Sequence, residues 1–417
     1  MYAFKENIDI KEFTDFANSF SGAPIQQTEA WPILKNNWKP HFCGMYDDET
    51  ICGVCLILVR ELLPGFKYAY AAHGPLLDYG NKELIKAFGD GAVNFCKNHG
   101  IYSITVDPLI PVGKTLPDVP PENFLDIFDI QKGKSNMQNF IDAGFIHGGF
   151  GKGLHDAVQP RFNALIPLKK ADGTSLTFNE LKKNYKQKIR KYYANFQSAR
   201  GLYYERAVPS PENIAEFKRI ISATEKRQNI SLREEDYFAL LSKAFGDGAY
   251  FGFEKTDINK YIENLETRLK KEPDMAEKIT EQITDAKKIA AEKGDKVNLA
   301  ALLTVYPQNT SGIRIAEYLY AGSDLTIFPS FCATLCGLGS QCAECIENDC
   351  DYLDLGGLAG TFDDGLYEFK HQFSPIIVEY AGEFTLPVNT TKYKIMEKYM
   401  PTLKKVYKKV TKVLHRR

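Results

Sequence analysis

Cysteine crowds one stretch of this chain: five of its nine cysteines stand at Cys332, Cys336, Cys342, Cys345 and Cys350. Cys342-Ala-Glu-Cys345 has the two-residue gap of a zinc half-site. Sites of that type pair two such gaps, whereas the other gaps here are three, five and four residues, a spacing that suits a helix carrying small buried thiols. No metal is assigned to them. Asp107 precedes Pro108 at the end of an apolar run, where a carboxylate can accept a proton or simply turn the chain. Arg233 and Tyr237 lie one helical turn apart, a cation and a hydroxyl that can share an anionic ligand or sit idle on a surface helix. His73 and Cys43 have no third partner, so no nucleophile, base and orienting group come together. No glycine-rich phosphate loop is present, and neither ATP nor another cofactor is expected.

Positive charge is concentrated twice. A segment carries Lys182, Lys183, Lys186, Lys188, Arg190 and Lys191, and the run from Pro401 carries Lys404, Lys405, Lys408, Lys409, Lys412, Arg416 and Arg417 with no acid after Glu397. In the second run Leu403, Val406, Tyr407, Val410, Val413 and Leu414 fall on the opposite helical side. Such an end suits an anionic membrane surface or an RNA backbone, and it is also the look of a peripheral helix with a solvated face.

The elements that must position these residues follow from pattern. At 417 residues the chain exceeds one ordinary core, and 44% apolar against 25% charged residues is a globular balance, so two domains are expected. A formal charge of -1 excludes a strong global nucleic-acid field while leaving room for local basic patches. The N-terminus lacks a charged segment followed by an apolar one, no window approaches about 20 apolar residues, and the cysteine count is odd; a cytoplasmic protein with reduced thiols is expected.

Ile51 to Val59 and Tyr102 to Val106 read as strands around a helix at Leu84 to Asn98, and Pro111 to Glu122 reads as a loop. A second α/β pattern starts at Phe162: a strand over Asn163 to Pro167, a basic helix, and a strand over Leu202 to Arg206. The halves are alike in kind without a short repeat, which points to a duplicated fold. Ile258, Ile262, Leu265 and Leu269, then Ala276, Ile279, Ile283, Ala286 and Ala290, are spaced by three and four around Pro273-Asp274. They predict an antiparallel coiled-coil hairpin projecting from the second domain, with a structural arm as its plainest role.

Dispersed motifs then resemble the FemABX family of peptidoglycan cross-bridge aminoacyltransferases over nearly the whole chain. They run in order: Gln27 to Lys35; Gly74-Pro75-Leu76-Leu77-Asp78-Tyr79; Val106-Asp107-Pro108; Gln159-Pro160-Arg161; Arg233 with Tyr237; Tyr320-Ala-Gly-Ser323; Leu353-Asp-Leu-Gly-Gly357; Gly365-Leu-Tyr-Glu-Phe-Lys370; and Glu379-Tyr-Ala-Gly-Glu-Phe384. The resemblance implies an α/β fold of two acetyltransferase-like (GNAT-like) domains with the coiled-coil hairpin inserted. The first domain spans 1–150 and is completed by 381–417, the second spans 151–380, and the arm spans 256–297.

The same resemblance implies transfer of an amino acid from aminoacyl-tRNA to the stem-peptide amine of a peptidoglycan precursor held in the cleft. That acceptor is lipid II or UDP-MurNAc-pentapeptide; the arm and basic tail favour the lipid-linked form and peripheral contact with the inner membrane face. Lys370 matches the catalytic lysine, an ammonium able to meet an oxyanion, with Phe369 shaping the acceptor channel and Asp107 as a candidate base. Lys35, Arg233, Tyr237 and Tyr320 match positions that hold the phosphate and sugar of the precursor. The basic helix, the arm and the C-terminal lysines are the expected tRNA contacts.

This sequence departs from the family at His73, where arginine is common; in the cysteine-rich stretch; and at Asp354, where members vary, so the transferred amino acid is not legible. Two other readings fit the residues: an acyl-CoA-dependent N-acyltransferase, for which a glycine-rich pantetheine turn is missing, and a non-catalytic precursor-binding scaffold.

Overall fold

The computed structural model describes residues 1–154, 156–195 and 197–399. The basic run from Pro401 onward lies outside the described residues.

The chain forms two eight-stranded sheets. In the first, Thr50–Leu63 is apolar on both faces and buried on both. Cys55, Ile57 and Val59 face one core, and Val54, Leu56 and Leu58 face another, which explains a continuous rather than alternating run. Its neighbour Phe66–Ala71 pairs in parallel with Ile101–Val106. The connection between them is the helix Lys82–Asn98. Asn81 caps it by accepting from the Leu84 amide at 3.0 Å, and Leu84, Ile85, Phe88, Ala92 and Phe95 press one face onto the sheet.

The second sheet repeats the plan. Ile315–Ser323 pairs in parallel with Tyr352–Leu358, and the helix Ala333–Glu347 connects them. Cys336, Cys342 and Cys345 on that helix, and Cys350 after it, are buried as free thiols. Burial pushes the Cys342 thiol up to about 12, so it behaves as a small apolar group.

The two sheets trade strands. Pro111–Thr115 pairs with Ile376–Tyr380 in the second sheet, and Phe384–Pro387 pairs with Ile101–Val106 in the first. A shared core seals the junction, with Phe13, Trp31 and Leu56 of the first unit against Phe217, Phe238 and Leu303 of the second.

Three expectations change. Pro111–Thr115 is a strand rather than loop, because Val112 is buried and the backbone finds a partner far along the chain. The basic helix is two helices, Phe178–Asn184 and Gln187–Asn195. Tyr185 breaks it: its extended backbone sends the ring edge-on to Phe373, and the Lys186 amide donates to the Gln372 carbonyl. Arg233 precedes the helix Glu235–Phe245 instead of lying on it.

The helical pair is present as Ile258–Lys271 and Ala276–Lys293, with Leu265 buried against Ile279 and Ile283. Tyr261, absent from the apolar pattern, anchors its base edge-on to Phe331 at 4.9 Å. No described helix is long and apolar enough to cross a membrane.

Candidate active site

The carboxyl ends of parallel strands are where open α/β sheets bind ligands, and the first sheet ends there in a clamp. Asp107 follows Ile101–Val106 directly, accepting from the Tyr70 hydroxyl at 2.6 Å and the His73 amide at 2.6 Å. His73 reaches it by taking a left-handed backbone conformation, φ 52°, ahead of the cis Gly74-Pro75 bond. Gly74 is required: a Cβ there would stand 2.6 Å from the Gln27 amide, which bonds the Ala72 carbonyl and the Leu56 amide. Asp107 is 4% exposed. Burial pushes its carboxyl up to about 8 against the opposing bonds from Tyr70 and His73, whereas burial holds His73 below its ordinary value.

In the second sheet a bulge does the corresponding work. Tyr352–Leu358 pairs with Phe162–Pro167, but Asp354 faces Leu165 and Gly357 faces Asn163, leaving two residues opposite one. Gly356 takes φ 74° in the bulge, and its amide donates to Asp354 at 2.7 Å. The carbonyls of Gly356 and Gly357 are thereby turned toward Lys370, whose Nζ donates to them at 3.0 and 2.7 Å.

Lys370 sits on the short helix Gly365–His371, capped by Asp364, and is only 4% exposed. Burial lowers its ammonium to about 8, opposed by the charges of Asp354 and Asp364. Phe369 is half-buried and packs on Phe373. Asp354, bonded by Asn163 at 2.8 Å, is raised by burial while Lys370 and His73 pull it down.

Glu317 joins the two clusters. It accepts from the Ile25 amide and the Gln26 side chain, feels Asp354 and His73, and is itself sensed by Tyr237. A polar seam thus runs from Asp107 through His73, Glu317 and Asp354 to Lys370, across the junction of the sheets. Asp107 and Lys370 belong to this seam without a direct hydrogen bond between them among those described.

Beyond Glu317 lies a second group. Arg233 stands over the Tyr237 ring at 5.1 Å and beside Tyr320, and Tyr237 and Tyr320 meet edge-on at 6.0 Å. Lys35 ends the short helix Trp31–Leu34 with its ammonium over Trp31 at 4.8 Å. Burial, then the Arg233 charge, lowers the Lys35 ammonium. Tyr320 reaches this group through another bulge: Leu303 faces Tyr320 while Thr304 faces Tyr318, so one residue is extra. Tyr318 keeps to the core near Cys342, while Tyr320 turns to Phe238 and Tyr237.

Of the residues picked from sequence, Lys35, Arg233, Tyr237 and Tyr320 form one group and Asp107 and Lys370 lie in the seam, while Phe369 packs on Phe373 beside it. Sequence reasoning missed Glu317, half-buried, and Tyr380, buried, both in the seam. Their signal is weak: an acid inside an apolar strand, and a tyrosine in a motif legible only as family likeness.

A profile of the FemAB family matches residues 8–287 and 266–400. The chain belongs to the FemAB family. Its relatives include Aminoacyltransferase FemA of Staphylococcus epidermidis (strain ATCC 35984), 24% identical over 444 residues, which cover 96% of this chain and 99% of the relative. Aminoacyltransferase FemA of Staphylococcus aureus (strain bovine RF122 / ET3-1) is 23% identical over 429 residues, covering 93% of this chain and 96% of the relative.

The crystal structure of FemX superposes with a TM-score of 0.74 at 23% identity, over 94% of this chain and 100% of that one, a likeness of fold. The two paired sheets are accordingly those of the FemX fold, and this FemAB member is an aminoacyltransferase.

Proposed function

We propose that this chain takes an amino acid from aminoacyl-tRNA and joins it to the stem-peptide amine of a lipid-linked peptidoglycan precursor. The observation that carries this reading is a like-charge pair. Lys35 and Arg233 are close enough for one charge to disfavour the other, both are partly desolvated, and neither has a carboxylate partner among the described residues. Two such cations beside tyrosine hydroxyls fit a diphosphate and its attached sugar: arginine grips phosphate oxygens in pairs, lysine adds a point charge, and rings offer flat apolar contact.

With the diphosphate there, the stem peptide extends along the seam toward Lys370. The attacking amine nitrogen forms a bond to the ester carbonyl carbon, whose oxygen becomes an oxyanion. The Lys370 ammonium, held by the Gly356 and Gly357 carbonyls, meets that charge without reorganising. The intermediate collapses by expelling the ribose oxygen, and the amine proton passes to that oxygen directly or by way of Asp107. The ester supplies the driving force.

For the donor, Lys183, Lys188, Arg190 and Lys191 are exposed on the two basic helices and have no carboxylate partner among the described residues. They provide phosphate contacts along one edge of the second unit, with the helical arm as a further surface. The acceptor's lipid linkage rests on the arm and the basic C-terminal run. The test is transfer from a pool of charged tRNA to purified lipid-linked and nucleotide-linked precursors, with and without RNase. RNase-sensitive transfer to the lipid-linked form is expected; RNase-insensitive transfer, or transfer to the nucleotide-linked form alone, overturns the respective half of the proposal.

A further inference from the structure

Far from the seam, at the outer edge of the first sheet, three elements bring ligand-bearing side chains together. Glu6 follows the edge strand Tyr2–Lys5, His41 lies on Lys39–Asp47, and His99 caps the carboxyl end of the helix Lys82–Asn98. One ligand atom from each falls within 4.8 Å of the other two. We propose that Glu6, His41 and His99 form a binding site for a divalent cation of the zinc, cobalt and nickel class.

His41 is the anchor. It is 3% exposed, its ring is fixed edge-on by Phe95 at 5.0 Å, and its Nδ1 meets the Asn7 Oδ1 at 3.3 Å. An amide oxygen only accepts, so Nδ1 carries the proton and Nε2 offers a lone pair; outer hydrogen bonds of this kind orient metal-binding imidazoles. Asn7 reaches that position through a left-handed turn, φ 55°, which also places Glu6.

His99 packs against His41 with ring centroids 4.9 Å apart, and its Nε2 lies 2.7 Å from Glu6 Oε2. Tetrahedral ligands at about 2.0–2.1 Å from an ion stand about 3.3 Å from one another, so this pair must open by roughly 0.6 Å on loading. Both side chains are partly exposed and can move that far. Two imidazoles and one carboxylate form a borderline-soft set suited to zinc-class ions, with water in the fourth place. The Lys39 ammonium opposes the ion and Glu6 offsets it. A bound ion would tie the amino-terminal edge strand to the sheet and to the end of its crossover helix, stabilising the fold by mass action.

The test uses full-length, chelator-washed protein titrated with cobalt(II), followed by visible absorption and by Tm. One saturable ion per chain is expected, with imidazole-oxygen d–d bands, no near-ultraviolet thiolate band, and a Tm that rises with cobalt. Glu6→Gln and His99→Asn change partly exposed residues and leave the fold intact; each should weaken binding about tenfold or more and abolish the Tm rise. Absence of saturable binding, a thiolate band that assigns the ion to cysteine, or unchanged affinity in both variants overturns the proposal.

Discussion

Arg233 and Lys35 approach each other over aromatic rings, Tyr237 beneath one at 5.1 Å and Trp31 beneath the other at 4.8 Å, with no described carboxylate between them. Proteins rarely hold two cations this way unless an anion completes the group. Arg233→Ala removes the paired hydrogen bonds to a diphosphate, worth about 1.5–3 kcal/mol, and should weaken precursor binding roughly tenfold to hundredfold. Calorimetric titration with the precursor checks this, and kcat at saturating acceptor should change far less than KM.

The pH dependence of transfer separates two roles in the seam. Lys370 must be charged to meet an oxyanion, and burial has lowered it to about 8, so the rate should fall as pH rises through about 8. Asp107, raised by burial to about 8, can accept a proton only when ionised, so its use as base would make the rate climb toward the same region from below. A bell centred near 8 is expected. Asp107→Asn should flatten the acid limb alone; an unchanged limb assigns the proton to the ribose oxygen.

Glu254 offers a stability test away from the site. It is fully buried on Ala249–Asp257, both carboxylate oxygens lack a partner among the described residues, and burial raises it to about 8. The folded state therefore holds a proton that the unfolded chain releases above about 4.5. Its contribution favours the fold below that value and is lost as pH rises toward about 8, by on the order of 3–5 kcal/mol. Glu254→Gln should keep its denaturation midpoint more nearly constant from pH 5 to pH 8 than the native chain does.

Charge on the two basic helices should govern the donor. Replacing Lys183, Lys188 and Lys191 together by alanine should weaken aminoacyl-tRNA binding and reduce the slope of log K against log salt by about 0.7 for each phosphate that is no longer neutralised. Binding measured at several salt concentrations distinguishes this from a general loss of fold, which would leave no common slope to compare.

Much of this architecture is legible in the chain. Thr50–Leu63 and Lys82–Asn98 announce themselves because burial on two faces and on one stripe leave different periods. Lys370, Arg233 and Tyr320 are legible through motif likeness rather than local pattern. What escapes is whatever depends on a distant partner or on one extra residue. The bulge at Leu319 turns Tyr320 to the same side as Glu317, and the bulge at Leu355-Gly356 aims two carbonyls at Lys370. Neither leaves a periodic trace. Pro111–Thr115 reads as loop in the sequence because its strand character comes from Ile376–Tyr380, more than 250 residues away. The break at Tyr185 likewise depends on Phe373.

The most direct test is the single-turnover rate of aminoacyl transfer, at saturating acceptor and near neutral pH, for the native chain and for Lys370→Ala. A charge that meets only the transition state should cost about a hundredfold to a thousandfold in that rate when removed, with acceptor affinity unchanged. An unchanged rate, or a loss that appears wholly in acceptor affinity, would contradict the role given to Lys370.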